Sequence, residues 1–447
     1  MTILEANRRQ GQDIPFAMSS PMWVPRERYY DRQFFELEKT RFWPRVWQMA
    51  CRLEEIPRPG DFVEYEICDQ SILLVRQPDR SVKGFFNACR HRATALCRGA
   101  GRLAGGQITC PFHGWRWNLD GSNSFVYGEE GFATECLDRE DLRLTECRVE
   151  TWGACAWINM DPGARPLRES LSPAAGILDR FGVEDLRVYW WKEAIIPANW
   201  KLAQEAFYEG YHLQATHPQL TMGAGEMYPP GYLDYKVFDN GHSLFQQRPV
   251  DPAATAEMEL VEPGQFLEFM RALWEGQDSM VLERDVRVVE GLKKKVAPGG
   301  DEVAAATNAV IDYDNGAGIP IRTAPEAMQL WGGEVFVFPN FFILPWFSNA
   351  LSYRVRPYND DPELCRFEVW SLTMPAEGEE VPRAKLEGRY SPDDTEHWGL
   401  IPRQDFSNLE REQRGLHTLT YRQHRLAMVW ERAISNMHEE LDRYLAR

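Results

Sequence analysis

Hydrophobic residues follow two different spacings near the start of the chain. From Arg26 to Trp47, apolar side chains recur among charged ones at roughly helical spacing, which predicts an amphipathic helix. From Cys51 to about Met160, short runs rich in Val, Ile, Phe and Trp are broken by Gly, Pro and Asp, a pattern typical of strands. We therefore predict an N-terminal segment, residues 1–47, that packs on a larger body, followed by a small all-β domain, residues 48–160.

The remainder of the chain, residues 161–447, mixes helical and strand patterns. Helical spacing surrounds residues 200–215 and begins again at about Phe406 for a final helix, whereas residues 335–355 have the composition of strands. Strands grouped apart from helices are typical of an α+β domain with an antiparallel sheet. The predicted fold class of the whole chain is therefore α+β, with the all-β domain first.

Composition and charge exclude several classes of function. The 447 residues are 44% hydrophobic, enough for a sizeable core, and 50 Lys and Arg against 67 Asp and Glu give a net charge of −17. Such a charge opposes binding to nucleic acid or to an acidic membrane. The N-terminal residues lack an apolar secretory signal, and prolines interrupt the apolar stretch 335–347, so we expect no membrane segment. Nine cysteines, an odd number, suit a reducing compartment, and we expect a cytoplasmic protein.

Two mixed pairs of cysteine and histidine indicate a first metal site. Cys89 and His91 are separated by one residue, and Cys110 and His113 by two. In one kind of 2Fe-2S cluster two thiolates hold one iron and two imidazoles hold the other, which raises the reduction potential. A structural zinc site is the alternative interpretation, although zinc sites usually pair like ligands with like.

The spacing of Glu209, His212 and His217 indicates a second site. Glu209 and His212 would share one face of a helix, whereas His212 and His217 would lie about 140° apart if the helix ran on unbroken. Because Pro218 disfavours the α conformation at the residue before it, we expect the helix to end or distort by His217, so that both imidazoles reach one metal. Alternatively, the two histidines are a hydrogen-bonded core pair. Iron(II) sites that activate dioxygen use two histidines and one carboxylate, so a distant acid should complete the site.

The loop after the second cysteine–histidine pair continues as the sequence GWRW at residues 114–117, with Gly121 shortly after. With the two metal patterns, this segment resembles the large (alpha) subunits of Rieske non-haem iron aromatic-ring-hydroxylating oxygenases. The resemblance implies a helix-grip-like catalytic domain after a Rieske domain. It also implies one mononuclear Fe(II) per subunit and a 2Fe-2S cluster whose ligands are Cys89, His91, Cys110 and His113.

The resemblance also assigns the missing acid. The segment that begins at Gln404 and Asp405 resembles the part of the family that supplies the third iron ligand, which implies this role for Asp405. On a helix, Asp405 falls in line with Leu409 and Leu416, at the head of an inward-facing stripe. Glu412 lies on the same stripe and competes for the role, and an ordinary helix cap is the other interpretation of Asp405.

In the family that this chain resembles, three subunits form a ring. An acidic residue three positions before the first iron histidine bridges to a cluster histidine of the neighbouring subunit, and the matching residues are Glu209, His212 and His113. This chain has glutamate at the bridge, where most members have aspartate. The resemblance therefore implies a catalytic role for Glu209 and either a homotrimer or an assembly of three alpha and three beta subunits. Asn199, which opens the same segment, is a second candidate catalytic residue.

No dinucleotide-binding G-x-G-x-x-G follows a strand, since the nearest run of glycines, residues 99–106, has the wrong spacing. We therefore expect electrons from a separate NAD(P)H-dependent reductase, directly or through a ferredoxin. Arginines of the cluster loops are candidates for docking an acidic partner, and ordinary surface arginines are the alternative interpretation. These residues are Arg90, Arg92, Arg98, Arg102 and Arg116.

The predicted function is hydroxylation of an aromatic or other apolar small molecule with dioxygen, as ring dihydroxylation or monohydroxylation. Candidate pocket residues are Phe207, Asn340, Phe341 and Trp346, whose bulk suggests an apolar substrate, although an aromatic-rich strand is equally typical of a core. An O- or N-demethylating Rieske monooxygenase is the alternative within the class. A non-catalytic iron-sulfur electron carrier and a zinc-stabilised ligand-binding protein are the alternatives outside it.

Overall fold

The structure, a computed structural model, describes residues 14–220, 233–247, 264–292, 302–321 and 333–446. The chain divides into two compact units. The small unit contains residues 39–170 and 382–385, and the large unit contains the residues up to 38 together with 171–381 and 386–447. The domain boundaries predicted after residues 47 and 160 stay predictions. Within the part of the chain that the structure describes, no helix has the length and apolar character needed to cross a bilayer.

The small unit is built on an antiparallel sheet, as the alternating sequence predicts. Along Asp61–Ile67, buried positions alternate with more exposed ones, which is the period of two expected when a sheet covers a core. In spatial order the strands are Gln48–Arg52, Cys155–Asn159, Glu146–Trp152, Val82–Phe86, Gln70–Arg76, Asp61–Ile67 and Ala100–Arg102. A second sheet has the short strands Gln107–Thr109, Arg116–Asn118 and Asn123–Phe125. The expected all-β character is confirmed.

One apolar cluster fills the space beneath the loops that carry the first metal pattern. It includes the buried side chains of Phe85, Trp115 and Trp117 together with Cys89 and Cys110. The turn at Gly121 packs directly on this cluster with φ +84°, and a Cβ there would lie 2.5 Å from Phe85 Cε1. Only glycine satisfies both the backbone conformation and this close approach.

The large unit is an α+β body, which confirms the predicted class. Its sheet is antiparallel, except that the last strand in the order pairs in parallel with its neighbour. In spatial order the strands are Leu233–Val237, Ser243–Gln247, Glu334–Val337, Phe341–Trp346, Asn349–Tyr358, Asp361–Thr373, Arg187–Ile196 and Gly388–Arg389. Among its described residues, the α-helices are Arg32–Leu37, Ala174–Leu178, Trp200–Glu205, Leu213–Thr216, Gln265–Gln277, Glu283–Leu292, Glu302–Gly316, Leu400–Leu416 and Arg432–Leu445.

Two helix predictions are wrong in their extent. Residues 26–47 form no single helix, but the short pieces Arg26–Tyr29, Arg32–Leu37, Glu38–Phe42 and Trp43–Arg45. Pro44 has no N–H to continue a helical ladder, which explains the break at the end. The helix expected to begin at about Phe406 begins at Leu400, and a further helix, Arg432–Leu445, follows it.

Buried ion pairs join the first residues of the large unit to its helices. Lys201 Nζ lies 2.6 Å from Glu38 Oε1, and both side chains are completely buried. Arg28 Nη1 lies 2.7 Å from Asp442 Oδ1 in an equally dry environment. Because removing one member of a buried pair leaves an uncompensated charge, these contacts fix the position of the early residues on the helices Trp200–Glu205 and Arg432–Leu445.

A buried carboxylate also stabilises the centre of the sheet. Glu368 accepts from Arg354 through two bonds of 2.6 and 2.7 Å and from Arg356 at 3.3 Å. Burial alone would raise the pKa of Glu368, but the two arginines lower it to about 2. The carboxylate is therefore ionised in the folded protein throughout the physiological range.

Candidate metal centres

The two cysteine–histidine pairs lie on two tight loops of the small unit. In the first loop the backbone N–H of Cys89 donates to the carbonyl of Thr94 at 2.9 Å, and in the second that of Cys110 donates to the carbonyl of Trp115 at 2.8 Å. Each loop contains one residue with positive φ, Ala93 at 59° and Gly114 at 71°. The backbone therefore reverses direction in the same way in both loops, and each loop carries one cysteine and one histidine.

Like donors are brought together by these loops. His91 Nδ1 lies 3.2 Å from His113 Nδ1. Burial, to which the neighbouring Cys110 thiol adds, raises the pKa of the Cys89 thiol. Paired imidazoles beside paired thiols are the donor set of a Rieske cluster, in which sulfur holds one iron and nitrogen the other.

A single zinc ion fits this arrangement less well. A tetrahedral ion needs all its ligand atoms around one point. Among the described Cys, His, Asp and Glu residues, the group with three or more ligand atoms within 4.8 Å of one another lies elsewhere in the chain. The four donors of the small unit are therefore spread over a wider space, as a two-iron cluster requires.

An aromatic wall covers the imidazole pair. Trp115 stacks on His91, with ring centroids 4.9 Å apart and planes inclined by 11°. Phe132 meets both rings edge-on. On the outer side, Phe112 is 61% exposed next to His113. The histidine edge of this site is therefore close to solvent, whereas the thiols are buried.

In the large unit, the second metal pattern begins with a capped helix. Asn199 is buried, its Oδ1 accepts from the backbone N–H of Lys201 at 2.9 Å, and its Nδ2 donates to the carbonyl of Pro362 at 2.6 Å. These are the contacts of an N-cap, which starts the helix Trp200–Glu205. The catalytic role suggested for Asn199 stays a prediction.

Beyond Glu205 the chain leaves the helix, and residues 206–212 form turns and bends. The expectation that Glu209 and His212 share a helix face is therefore wrong. They meet within a tight turn, in which Glu209 Oε2 accepts from the backbone N–H of Tyr211 and, at 3.0 Å, from that of His212. Glu209 Oε1 then lies 2.7 Å from His212 Nδ1.

The predicted break before Pro218 is confirmed. The short helix Leu213–Thr216 ends at His217, whose φ of −120° and ψ of 60° lie outside the α region. The imidazole of His217 consequently turns back toward that of His212, and their ring centroids are 5.3 Å apart.

Asp405 completes the group from a distant helix. It lies in the second turn of Leu400–Leu416, which we call the Asp405 helix, and is only 4% exposed, so its interpretation as a helix cap is wrong. Asp405 Oδ1 lies 2.9 Å from His217 Nε2 and 3.8 Å from His212 Nε2. These three residues offer ligand atoms within 4.8 Å of one another, and Glu412 is not part of the group.

The donor set of this group fits a non-haem iron(II) site. Both histidines present Nε2, because Nδ1 of His212 faces Glu209 and Nδ1 of His217 lies 2.8 Å from Gln404 Oε1. Burial would lower the pKa of His212, but Glu209 and Asp405 raise it to about 9, so this point favours a cation. Two imidazoles and one carboxylate leave further coordination positions open. No sequence motif pointed to Gln404, since a neutral amide far along the chain has no characteristic spacing.

A small cavity is lined by His212 and Asp405 together with acidic and apolar side chains. Its volume is about 130 Å³, and Glu205 and Glu412 are among its lining residues. Pockets for drug-sized ligands usually measure roughly 300–1,000 Å³. The cavity is smaller than that range, and none of the four predicted pocket residues lines it.

The predicted pocket residues are packed elsewhere in the large unit. Phe207 contacts the ring of Tyr353, with centroids 4.5 Å apart. Asn340 is buried and donates to a backbone carbonyl of the adjacent strand at 2.8 Å. Phe341 is buried in its strand, and Trp346 packs at the edge of an apolar helix cluster. Their role as substrate contacts stays a prediction.

Comparison with known families agrees with these two centres. Residues 46–126 match the family described as Rieske [2Fe-2S] domain, and residues 183–447 match the ring hydroxylating alpha subunit (catalytic domain). The second match alone covers more than half of the chain. The chain therefore belongs to the ring-hydroxylating alpha subunit family, and its cofactors are a Rieske 2Fe-2S cluster and a mononuclear iron.

Individual relatives act on different compounds. The chain is 30% identical to the alpha subunit of 2-aminobenzenesulfonate 2,3-dioxygenase from Alcaligenes over 52% of this chain and 59% of the relative. It is 33% identical to the carnitine monooxygenase oxygenase subunit of Escherichia coli over 44% of this chain and 52% of the relative. It is 28% identical to the biphenyl dioxygenase alpha subunit of Paraburkholderia xenovorans over 83% and 77%. The first two matches thus span little more than half the length of the relative.

Solved structures show the same fold. A naphthalene 1,2-dioxygenase with indole bound matches with a TM-score of 0.68 at 19% identity, over 98% of this chain and 95% of the other. A quaternary ammonium Rieske monooxygenase matches with a TM-score of 0.66 at 19% identity, over 97% and 99%.

Proposed function

We propose that the chain is the oxygenase component of a Rieske system that uses dioxygen, and electrons from an NAD(P)H-dependent reductase, to hydroxylate an aromatic or other apolar small molecule. The observation that carries this proposal is the convergence of His212, His217 and Asp405 on one point. Dioxygen-activating iron(II) sites need two imidazoles, one carboxylate and open positions beside them. A protein that only carries electrons needs the cluster alone, and that function does not explain the group formed by His212, His217 and Asp405.

Bound to these residues, the cluster would supply single electrons and the iron a centre for activating dioxygen. The protein side chains hold the metal ligands in place and exclude water from part of the iron site. His217 and Asp405 are 1% and 4% exposed, so bulk water is kept from that side of the site. His212 is more exposed and is held in one orientation by Glu209.

We further propose that Glu209 links the two kinds of centre across a subunit interface, in a homotrimer or in an assembly of three alpha and three beta subunits. Its Oε2 is held by two backbone N–H groups, and its Oε1 faces His212 Nδ1. A carboxylate fixed in this way can accept one more hydrogen bond, from His113 of a neighbouring subunit. If single-turnover electron transfer and product yield are unchanged in Glu209→Gln, this role is wrong.

The docking surface for the electron donor is proposed at the cluster loops. All five arginines named from the sequence are exposed. Two of them lie beside partly exposed aromatic rings, Arg92 near Phe112 and Arg116 near Phe125. A basic and aromatic surface near the histidine edge of the cluster suits an acidic reductase or ferredoxin. The predicted cytoplasmic location belongs to the same proposal.

The second candidate function is an O- or N-demethylating monooxygenase. It is supported by the similarity to the carnitine monooxygenase oxygenase subunit, which is 33% identical over 44% of this chain, whereas the biphenyl dioxygenase alpha subunit is 28% identical over 83%. Both functions use the same proposed metal ligands and differ in how the substrate is held.

One experiment separates these functions. The reconstituted protein is supplied with a reductase, NADH, ¹⁸O₂ and a panel of aromatic, methoxylated and N-methylated compounds, and products are identified by mass. Labelled ring diols or phenols support the main proposal, and demethylated products support the second. Asp405→Ala is the control, which should keep the visible spectrum of the cluster and form no product. Reduction of the wild-type cluster without labelled product from any compound would instead favour an electron carrier.

A further inference from the structure

The two histidines of the proposed iron site have chemically different supports. Nδ1 of His212 faces the carboxylate of Glu209 at 2.7 Å. Nδ1 of His217 faces the amide oxygen of Gln404 at 2.8 Å. One imidazole is thus held by an anion and the other by a neutral group.

An amide oxygen only accepts hydrogen bonds, which determines the state of the ring opposite it. When Gln404 Oε1 faces Nδ1, that nitrogen must carry the proton, and Nε2 is left with a free lone pair. Nε2 of His217 is the atom that lies 2.9 Å from Asp405 Oδ1, at the point where the three ligand atoms meet. The contact with Gln404 therefore selects the tautomer that can bind a metal.

A second amide fixes Gln404 itself. Gln219 Nε2 donates to Gln404 Oε1 at 2.8 Å, and Gln404 Nε2 lies 3.5 Å from Gln219 Oε1 in return. Gln219 follows His217 by two residues, and Gln404 directly precedes Asp405. The amide pair consequently ties together the two chain segments that supply these ligands.

We propose that Gln404, supported by Gln219, is a positioning residue that holds the His217 imidazole in its metal-binding orientation and tautomer. The inference rests on the proposed iron site. An anionic partner raises the basicity of a histidine that binds a metal. With a neutral partner, His217 is therefore a weaker metal ligand than an imidazole held by a carboxylate. The site therefore combines one strongly and one weakly polarised imidazole.

The test measures Fe(II) affinity, in holoprotein that retains its cluster but has been stripped of mononuclear iron. Equilibrium dialysis against Fe(II) under anaerobic conditions, with iron analysis, gives the Kd. Gln404→Met keeps the length of the side chain but removes the acceptor, and we expect its Kd to rise about 10- to 100-fold, as for other partners of metal ligands. Gln404→Glu restores an acceptor and should return the Kd to the wild-type value or below it.

Asn408→Leu is the matched control. This amide lies one turn further along the Asp405 helix, and its Nδ2 donates to Thr216 Oγ1 at 3.3 Å, whereas Gln404 Oε1 accepts from His217 Nδ1. Its Kd should stay close to that of the wild type. The cluster spectrum and the thermal unfolding curve check that each variant is folded.

The outcomes separate this inference from the proposed function. If the wild type binds no Fe(II) beyond its cluster, the iron site itself is wrong. If the wild type binds Fe(II) but Gln404→Met binds it equally well, or Gln404→Glu binds as weakly as Gln404→Met, the positioning role is wrong. Should Gln404→Met fail to fold, Gln219→Met tests the same contact, with an expected several-fold rise in Kd, and an unchanged Kd would contradict the proposal.

Discussion

Gly399 immediately precedes the Asp405 helix and lies against the backbone of the helix Gln265–Gln277. A Cβ at this position would lie 2.0 Å from the carbonyl oxygen of Gly276, whereas real Cβ atoms essentially never approach closer than 3.0 Å. Gly399→Ala must therefore move the two backbones apart by about 1 Å (3.0 − 2.0). Because φ of Gly399 is −62°, which any residue adopts, the cost is steric rather than conformational.

The displacement has two measurable consequences. Inserting an atom into a packed contact usually destabilises a protein by about 1–3 kcal/mol. The Asp405 helix also carries the carboxylate that lies 2.9 Å from His217 Nε2, so a shift of this size disturbs the ligand geometry. A misplacement of roughly 1 Å can lower a catalytic rate by about 100-fold. We expect Gly399→Ala to unfold at lower temperature, to hold less mononuclear iron and to form less product.

Gly415 provides a matched control near the end of the same helix. A Cβ there meets nothing within 4 Å, and alanine is favoured over glycine in helices by about 1 kcal/mol. Gly415→Ala should therefore be as stable as the wild type or more so, with full iron content. Differential scanning calorimetry and iron analysis compare the two variants. If Gly399→Ala is no less stable than Gly415→Ala and keeps its iron, the steric reasoning is refuted.

Three further predictions concern the cap, the buried carboxylate and the aromatic wall. Asn199→Ser keeps a capping oxygen and should retain activity, whereas Asn199→Leu should lower the free energy of unfolding by about 1 kcal/mol. If a well-folded Asn199→Ser variant loses turnover, Asn199 has a catalytic role instead. Because folding lowers the pKa of Glu368 to about 2, the unfolded chain takes up a proton on this carboxylate at a higher pH than the folded chain does. The ionised carboxylate therefore stabilises the folded state by about 3 kcal/mol above about pH 5. This stabilisation is lost as the pH falls toward 2. Urea unfolding of Glu368→Gln against wild type should show a difference that shrinks over that window, and a constant difference would contradict the assignment. Trp115→Leu removes the ring stacked on His91 and should cost the small unit about 2–3 kcal/mol, measured as earlier loss of visible absorbance in urea.

The proximity of the cysteine and histidine side chains within each candidate site was predictable because their spacing is local. The C-x-H and C-x-x-H pairs each lie within one tight loop, so sequence distance and spatial distance nearly coincide. Pro218 likewise acts on the residue beside it, and the break at His217 follows from that restriction. The family resemblance was needed for Asp405, which reaches the histidines through tertiary packing.

Helix limits and supporting residues were harder to predict. The start at Leu400 was missed because the residue before it, Gly399, offers no capping side chain that would mark a helix N-terminus in the sequence. The turn between Glu209 and His212 replaced an expected helix because the Glu209 carboxylate satisfies two backbone N–H groups, which competes with helical hydrogen bonding. The pairing of Gln404 with His217 depends on packing between distant segments, and no local pattern encodes it.

Iron stoichiometry combined with spectroscopy tests the central claim most directly. In anaerobically reconstituted wild-type protein, we expect three irons per chain, with Mössbauer signals for a histidine-ligated diiron cluster and for one separate high-spin ferrous ion. Asp405→Ala should keep the cluster signals and lose the ferrous one. A wild-type protein with only the two cluster irons, or an Asp405→Ala variant with an unchanged ferrous signal, would contradict the account.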